Sequence, residues 1–362
     1  MTPHRLSLDE ARRIAVRAQL LDAERPAAPV EVAEQLAAIK IDPTSVVAPC
    51  EHTVLWSRIG DAYEPGQLKK AVEQDRLLFE LDGAFRPTTL LPDLLVELRR
   101  WTERDRVRDW LEANARFRVE VLARLRGEGP LLAAAIPDTA AVARSNDGGW
   151  YSDNQVPRML EVLALRGEVA VASRQGRNRV WDVAERVYPP GLPEPTREEA
   201  VRAMSERRLR AAGVAKHTAW TPVREAGEPV VVEDLKGTWR VDPDALAALD
   251  EDPGGRVAFL NPYDGMLGDR ARLKDLFGFA YVLEQFKPKP ERKYGLFAHP
   301  ILLGDRFVGM LEAEHDRKQG VLHVRAVHEL LPFEEEERQM VRAEVEALAR
   351  WLGVPLSDTS DV

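Results

Sequence analysis

Arg174, Arg177 and Arg179 surround the dipeptide Gln175-Gly176. A guanidinium presents a rigid fork of N–H donors that matches a phosphate or a carboxylate. Three of them at the tip of a chain reversal would grip a polyanionic backbone. Between residues 158 and 180 five arginines face two glutamates, a surplus of three positive charges. The chain as a whole carries a net charge of −9, with acid concentrated elsewhere, notably at Glu334 to Glu337. That balance excludes a protein that coats nucleic acid over its entire surface, but not one with a local basic face. The bland alternative is a surface hairpin that happens to carry arginines.

The elements that would position these arginines are a helix and a hairpin. Val156, Met159, Leu160, Leu163 and Ala164 recur at the spacing of one apolar helix face. Gly167 follows as the helix stop, where the chain enters the left-handed region without a Cβ penalty. Two short strands then flank the turn at Gln175-Gly176. A helix feeding an Arg-tipped hairpin is the shape of a winged helix, in which helix and wing both meet a DNA backbone.

Other familiar chemistries are missing from the sequence. There is no Gly-rich phosphate loop, no G-x-S-x-G, no H-E-x-x-H and no metal-ligand spacing. The seven histidines are scattered, and the single cysteine, Cys50, leaves no disulfide framework and no thiolate zinc site. Cys50 reads as a structural, half-buried thiol. With 362 residues, 44% hydrophobic and 31% charged, two or three soluble domains are expected. No leader pattern and no long apolar run is present, so the expectation is a cytoplasmic monomer without metal, cofactor or membrane contact.

Along the chain, Ser7 and Glu10 form a capping box that opens a helix from Leu8 to about Ala23. A second helix carries Val32, Leu36 and Ile39. Ile41-Asp42-Pro43 breaks the helical pattern, because a residue before proline is pushed to extended geometry. Thr53 to Ile59 suits a strand or a short helix, Leu68 to Leu77 is amphipathic, and Leu78 to Phe85 reads as a strand. Trp101 to Leu125 reads as two helices. A turn is expected at Ser145 to Gly149, and a second capping box at Thr196 and Glu199 opens a helix to about Ala212. Strands are expected near 230–232, 237–241, 257–260, 281–286, 294–303, 307–314 and 322–328, with a hairpin turn at Gly304-Asp305. An acidic helix spans Pro332 to Leu352, and an unstructured tail is expected from Pro355. The fold class read from this order is α+β, with tandem winged-helix motifs and a C-terminal β-barrel-like domain. The corresponding segments are 1–98, 99–147, 148–190, 191–220, 221–330 and 331–354: winged-helix region, helical bridge, winged helix with basic wing, connecting helix, barrel-like domain and closing helix.

The sequence resembles the winged-helix DNA glycosylases of the AlkZ/YcaQ type. One block of likeness runs from Gly167 to Pro189, including Arg179-Val180-Trp181-Asp182. A longer one includes Asn261-Pro262-Tyr263-Asp264, Leu276-Phe277-Gly278-Phe279, Lys293-Tyr294-Gly295, Gly304-Asp305-Arg306 and Asp316-Arg317-Lys318. The resemblance implies excision of alkylated, including crosslinked, purines from duplex DNA. It also places the catalytic motif at Lys40-Ile41-Asp42 and makes Arg58 a DNA contact beside Arg174, Arg177 and Arg179. The family's motif begins with Gln where this chain has Lys40. Relatives carry an aromatic pair and a histidine where this chain has Glu80-Leu81-Asp82-Gly83-Ala84-Phe85.

The chemistry such a motif needs is simple. A purine alkylated at N7 is already cationic and leaves readily, so positive charge develops on the sugar. A carboxylate at Asp42 would stabilise that charge and orient or deprotonate water. Lys40 has three readings: an ion pair with Asp42, a phosphate contact, or an amine that attacks C1′ of the sugar. Asp42 also has a plain structural reading as the turn residue before Pro43. Trp56, Tyr63 and Trp150 are candidate wedges or lesion contacts, with burial in the core as the alternative. A non-catalytic DNA-binding protein on the same scaffold is the competing functional reading.

Overall fold

A computed structural model describes residues 3–143, 154–217, 222–251 and 254–357. The chain divides into two compact units, one formed by residues 1–68 and 205–362, the other by residues 69–204.

The first unit is built on two open four-stranded sheets. One has the order His4–Leu6, Glu228–Val232, Trp239–Val241, Val214–Lys216. Its first pair is parallel and the others are antiparallel. The second is an antiparallel meander of Val257–Phe259, His299–Leu303, Arg306–Asp316 and Val321–Glu329. The Gly304-Asp305 turn joins the middle strands as expected, since Leu303 pairs with Arg306. Neither sheet closes, so the described residues hold no closed barrel. The expected strand at 281–286 and the first half of the one at 294–303 are irregular instead. Tyr281 and Glu284, three positions apart, are drawn inward there while Val282 and Phe286 stay exposed, so no period-two pleat forms.

Helix Leu8–Ala18 begins with the Ser7/Glu10 capping box, both reciprocal bonds being present. It stops five residues before the expected end because Leu20 turns left-handed (φ 56°) and Leu21 drops fully into the core. Helix Pro29–Leu36 ends at a left-handed Ala37, which leaves Ile39 for a two-residue strand. The segment at 53–59 resolves as helix Cys50–Ile59. Gly213 is required where the helix Arg197–Ala212 stops. Its φ is +71°, and a Cβ there would lie 2.8 Å from the side chains of Ala18 and Ile14. Helix Glu335–Leu352 closes the unit. The expected loose tail is paired as far as the structure describes it: Leu322 donates to the Pro355 carbonyl and Ser357 donates to that of Leu322.

The second unit contains a hairpin, Leu78–Leu81 with Ala84–Pro87, where one strand was expected. Asp82 and Gly83 both take positive φ, the geometry of a tight hairpin turn. Three helices follow, Leu91–Thr102, Asp105–Ala113 and Ala115–Glu128. The basic hairpin is preceded by helix Val156–Leu165, with Gly167 at φ 73°. Strands Val169–Gln175 and Asn178–Val183 pair, and Leu131–Leu132 adds a third strand. Gln175 pairs with Asn178, so the two turn residues are Gly176 and Arg177, one step beyond the expected pair. The turn expected at 145–149, and Trp150, lie outside the described residues.

Candidate functional site

Lys40 and Asp42 follow the buried Ile39 on a short extended segment. Lys40 is exposed and Asp42 is partly buried. The Oδ1 atom of Asp42 accepts the Thr44 N–H at 2.9 Å, a turn closed over Pro43. Asp42 is therefore a turn residue, as its plain reading requires. No described residue hydrogen-bonds to its other carboxylate oxygen, and no described carboxylate lies within ion-pair distance of Lys40. The Lys40–Asp42 ion pair is thus not formed.

The loop beyond Asp42 is held from outside. The hairpin Arg306–Asp316/Val321–Glu329 reaches it: His315 N–H donates to the Val46 carbonyl at 3.0 Å. Arg317 donates to the Ser45 carbonyl at 3.0 Å and to the Ser45 hydroxyl at 2.7 Å, with a longer contact to the Val47 carbonyl at 3.3 Å. Arg317 stood in a block of family likeness, yet nothing in its spacing could reveal a partner 272 positions away.

Helix Cys50–Ile59 begins beside the motif. Burial, then the charges of Asp264, Glu51 and Asp42, push the Cys50 thiol far up, with Lys40 opposing. Cys50 is fully buried rather than half-buried, an inert core thiol. The Asn261-Pro262-Tyr263-Asp264 run clips this helix. Asn261 donates to the Thr53 hydroxyl at 2.8 Å and accepts the Tyr263 N–H at 2.9 Å.

Arg58 is not available to DNA. Its side chain and that of Asp264 are both 0% exposed and form a two-pronged ion pair. The remaining donors of Arg58 meet the Gln19 carbonyl at 3.1 Å and the Ser57 hydroxyl at 2.9 Å. The resemblance places Arg58 on DNA, and its partner, 206 positions away, leaves no local mark in the sequence. Trp56 and Tyr63 are likewise core residues, 2% and 1% exposed, and cannot act as wedges. Trp56 stacks on Trp351, whose indole N–H donates to the Tyr63 carbonyl at 3.0 Å. The Tyr63 hydroxyl pairs with His52 Nδ1 at 2.7 Å, and burial depresses His52 to about 4. Sequence reasoning had no signal for that pair.

In the second unit the basic hairpin proves to be internally neutralised. Glu80, 1% exposed, accepts Arg174 through Nε at 2.6 Å and Nη2 at 2.7 Å, and Arg179 through Nε at 2.5 Å. Glu161 lies 3.4 Å from Arg179, and the Arg174 backbone N–H donates to Glu73. Arg174 and Arg179 keep about a quarter of their side-chain surface open, 25% and 28%. Arg177, at the turn, is exposed and pairs with no described carboxylate. The segment around Glu80 thus supplies the counter-charge that holds the arginines in place.

A model of the AlkZ-like DNA glycosylase family matches residues 33–351. Among solved structures, the chain is similar to the Streptomyces sahachiroi DNA glycosylase AlkZ, with a TM-score of 0.63 and 17% identity over 98% of this chain and 99% of that one.

Proposed function

Since the chain belongs to the AlkZ-like DNA glycosylase family, we propose that it hydrolyses the N-glycosidic bond of N7-alkylated purines, including crosslinked ones, in duplex DNA. The helix–hairpin units act as winged helices that straddle the backbone. Asp42 is the catalytic carboxylate. The observation that carries this is the asymmetry of its hydrogen bonding: the turn uses Oδ1 and fixes the side chain, while the other oxygen has no described partner. A fixed carboxylate with one free oxygen costs little reorganisation as charge develops on the sugar. It can hold water on the face opposite the departing base.

Lys40, exposed and without a carboxylate partner, contacts a backbone phosphate in this reading. Arg177 adds a phosphate contact. Arg174 and Arg179 form the base of the wing and reach phosphate only as Glu80 releases them. Phosphate contacts supply affinity and register but no sequence information.

Asp42→Asn is the discriminating variant, because an Asn side-chain oxygen can still accept the Thr44 N–H while the charge is gone. Base release from a duplex containing N7-methylguanine is expected to fall by about 10²–10⁴-fold, with duplex affinity unchanged. Wild-type protein that binds the duplex and releases no base would instead support the non-catalytic scaffold, a reading favoured by Lys40 standing where the family's motif has Gln. A borohydride-trapped protein–DNA adduct, lost in Lys40→Ala, would replace hydrolysis by amine attack.

A further inference from the structure

Residues 278–298 form a long irregular stretch, broken only by the short turn Lys289–Glu291. Segments of this length without regular structure are uncommon inside compact units and are usually functional or disordered. This one is tied to itself. The Glu284 carboxylate, 6% exposed, accepts the backbone N–H groups of Lys293 and Tyr294 at 2.8 Å each and the Lys287 ammonium at 2.9 Å. The stretch borders an open cavity of about 530 Å³, within the size range of small-molecule sites.

The cavity wall is aromatic and its charge is positive. Phe279 and Phe307 stack at 4.3 Å with 13° between their planes, and Tyr281 and Tyr294 also line the space. Glu284 neutralises Lys287, but no described carboxylate pairs with Lys293, whose ammonium sits 4.7 Å from the Tyr294 ring centre. Tyr281 is 6% exposed, and its hydroxyl is buried without a hydrogen-bond partner. An aromatic wall and one unpaired cation together describe a planar ring carrying a negative group.

We propose that this cavity takes up a single unstacked nucleotide, its base against the aromatic wall and its phosphate on Lys293. The inference adds a nucleotide site to the glycosylase reading and does not require Asp42 to be catalytic.

The test uses the full chain and 1,N6-ethenoadenosine 5′-monophosphate, followed by fluorescence anisotropy at low salt. Saturable binding is expected, displaced by deoxyadenosine monophosphate and not by deoxyribose 5-phosphate at equal concentration. Phe279→Ala should weaken binding about fivefold or more, in line with the loss of a base–aromatic stack. Lys293→Met, on an exposed side chain, should weaken it and flatten its salt dependence. Asp42→Asn should leave it intact. A duplex with one unpaired 3′ adenosine should compete better than a blunt duplex if the nucleotide comes from a DNA strand, whereas equal competition with retained mononucleotide binding assigns the site to free nucleotide. Absence of saturable mononucleotide binding, or binding indifferent to both Lys293→Met and Phe279→Ala, would overturn the proposal whatever the base-release result.

Discussion

Replacing Glu80 by Gln removes one buried negative charge and leaves Arg174 and Arg179 in place. In the native hairpin those two guanidiniums spend three short hydrogen bonds on Glu80. Glu80 and Glu161 together offset the two guanidiniums, so their field outside is small. Gln can accept at one oxygen only and carries no charge, so at least part of this cationic surface turns outward. Each extra phosphate neutralised on B-DNA steepens the log–log salt dependence of binding by about 0.9. Two freed arginines would therefore steepen it by about 1.8, and one by about 0.9. Between 50 and 200 mM salt a slope change of about 1.8 corresponds to roughly a twelvefold additional loss of affinity, so the gain appears at low salt. The assay is a filter-binding or anisotropy titration of undamaged duplex across that salt range. Stability falls by less than the ~3–5 kcal/mol typical of a fully buried pair broken on one side, because both arginines already reach water. Weaker binding with an unchanged slope would refute the masking argument. It would show that Glu80 presents arginines already on the phosphates.

The remaining expectations are separable from that one. Asp264→Ala leaves the fully enclosed Arg58 guanidinium without its partner and should cost about 3–5 kcal/mol, read by denaturant unfolding, whereas an exposed Arg58 contacting DNA would predict almost no loss. Arg317→Ala frees the 45–47 loop and should lower base release more than duplex affinity, a split measured by single-turnover kinetics beside equilibrium binding. His52 and His299, both depressed to about 4 by burial, bind fewer protons folded than unfolded. Their stabilising contribution is complete above the unfolded value of 6.5 and is lost as pH falls from there towards 4, by up to about 3 kcal/mol each. Urea midpoints at pH 7 and pH 5 should show that drop, with His52→Phe reducing it.

What could be read from the residues is what depends on near neighbours. The Ser7/Glu10 cap is written within three positions and is formed as written, as is the Gly304-Asp305 turn. The Gly167 stop is likewise found with the positive φ that glycine permits. The strand expected at 281–286 failed for the opposite reason. Val282 and Phe286 stay exposed while Tyr281 and Glu284 turn inward, and the bonds of Glu284 reach Lys293 and Tyr294 nine and ten positions on. Arg58 failed at still longer range. A polar side chain next to Trp56 on a helix gives no hint that Asp264 will enclose it.

Asp42 joins both kinds of information. Its local chemistry, an aspartate before proline, predicts the turn that the structure contains, and the turn accounts for only one of its two oxygens. The loop that follows is then fixed by Arg317 and His315 from a distant hairpin. A turn aspartate needed for folding alone would gain nothing from that second support, since the Thr44 bond is already local. Rigid backing of a carboxylate with an uncommitted oxygen is what electrostatic stabilisation of a developing sugar cation requires. In the Lys40-Ile41-Asp42 motif the turn occupies one oxygen and the proposed catalytic role would fall to the other, and Asp42→Asn separates them because it retains the first and removes the second.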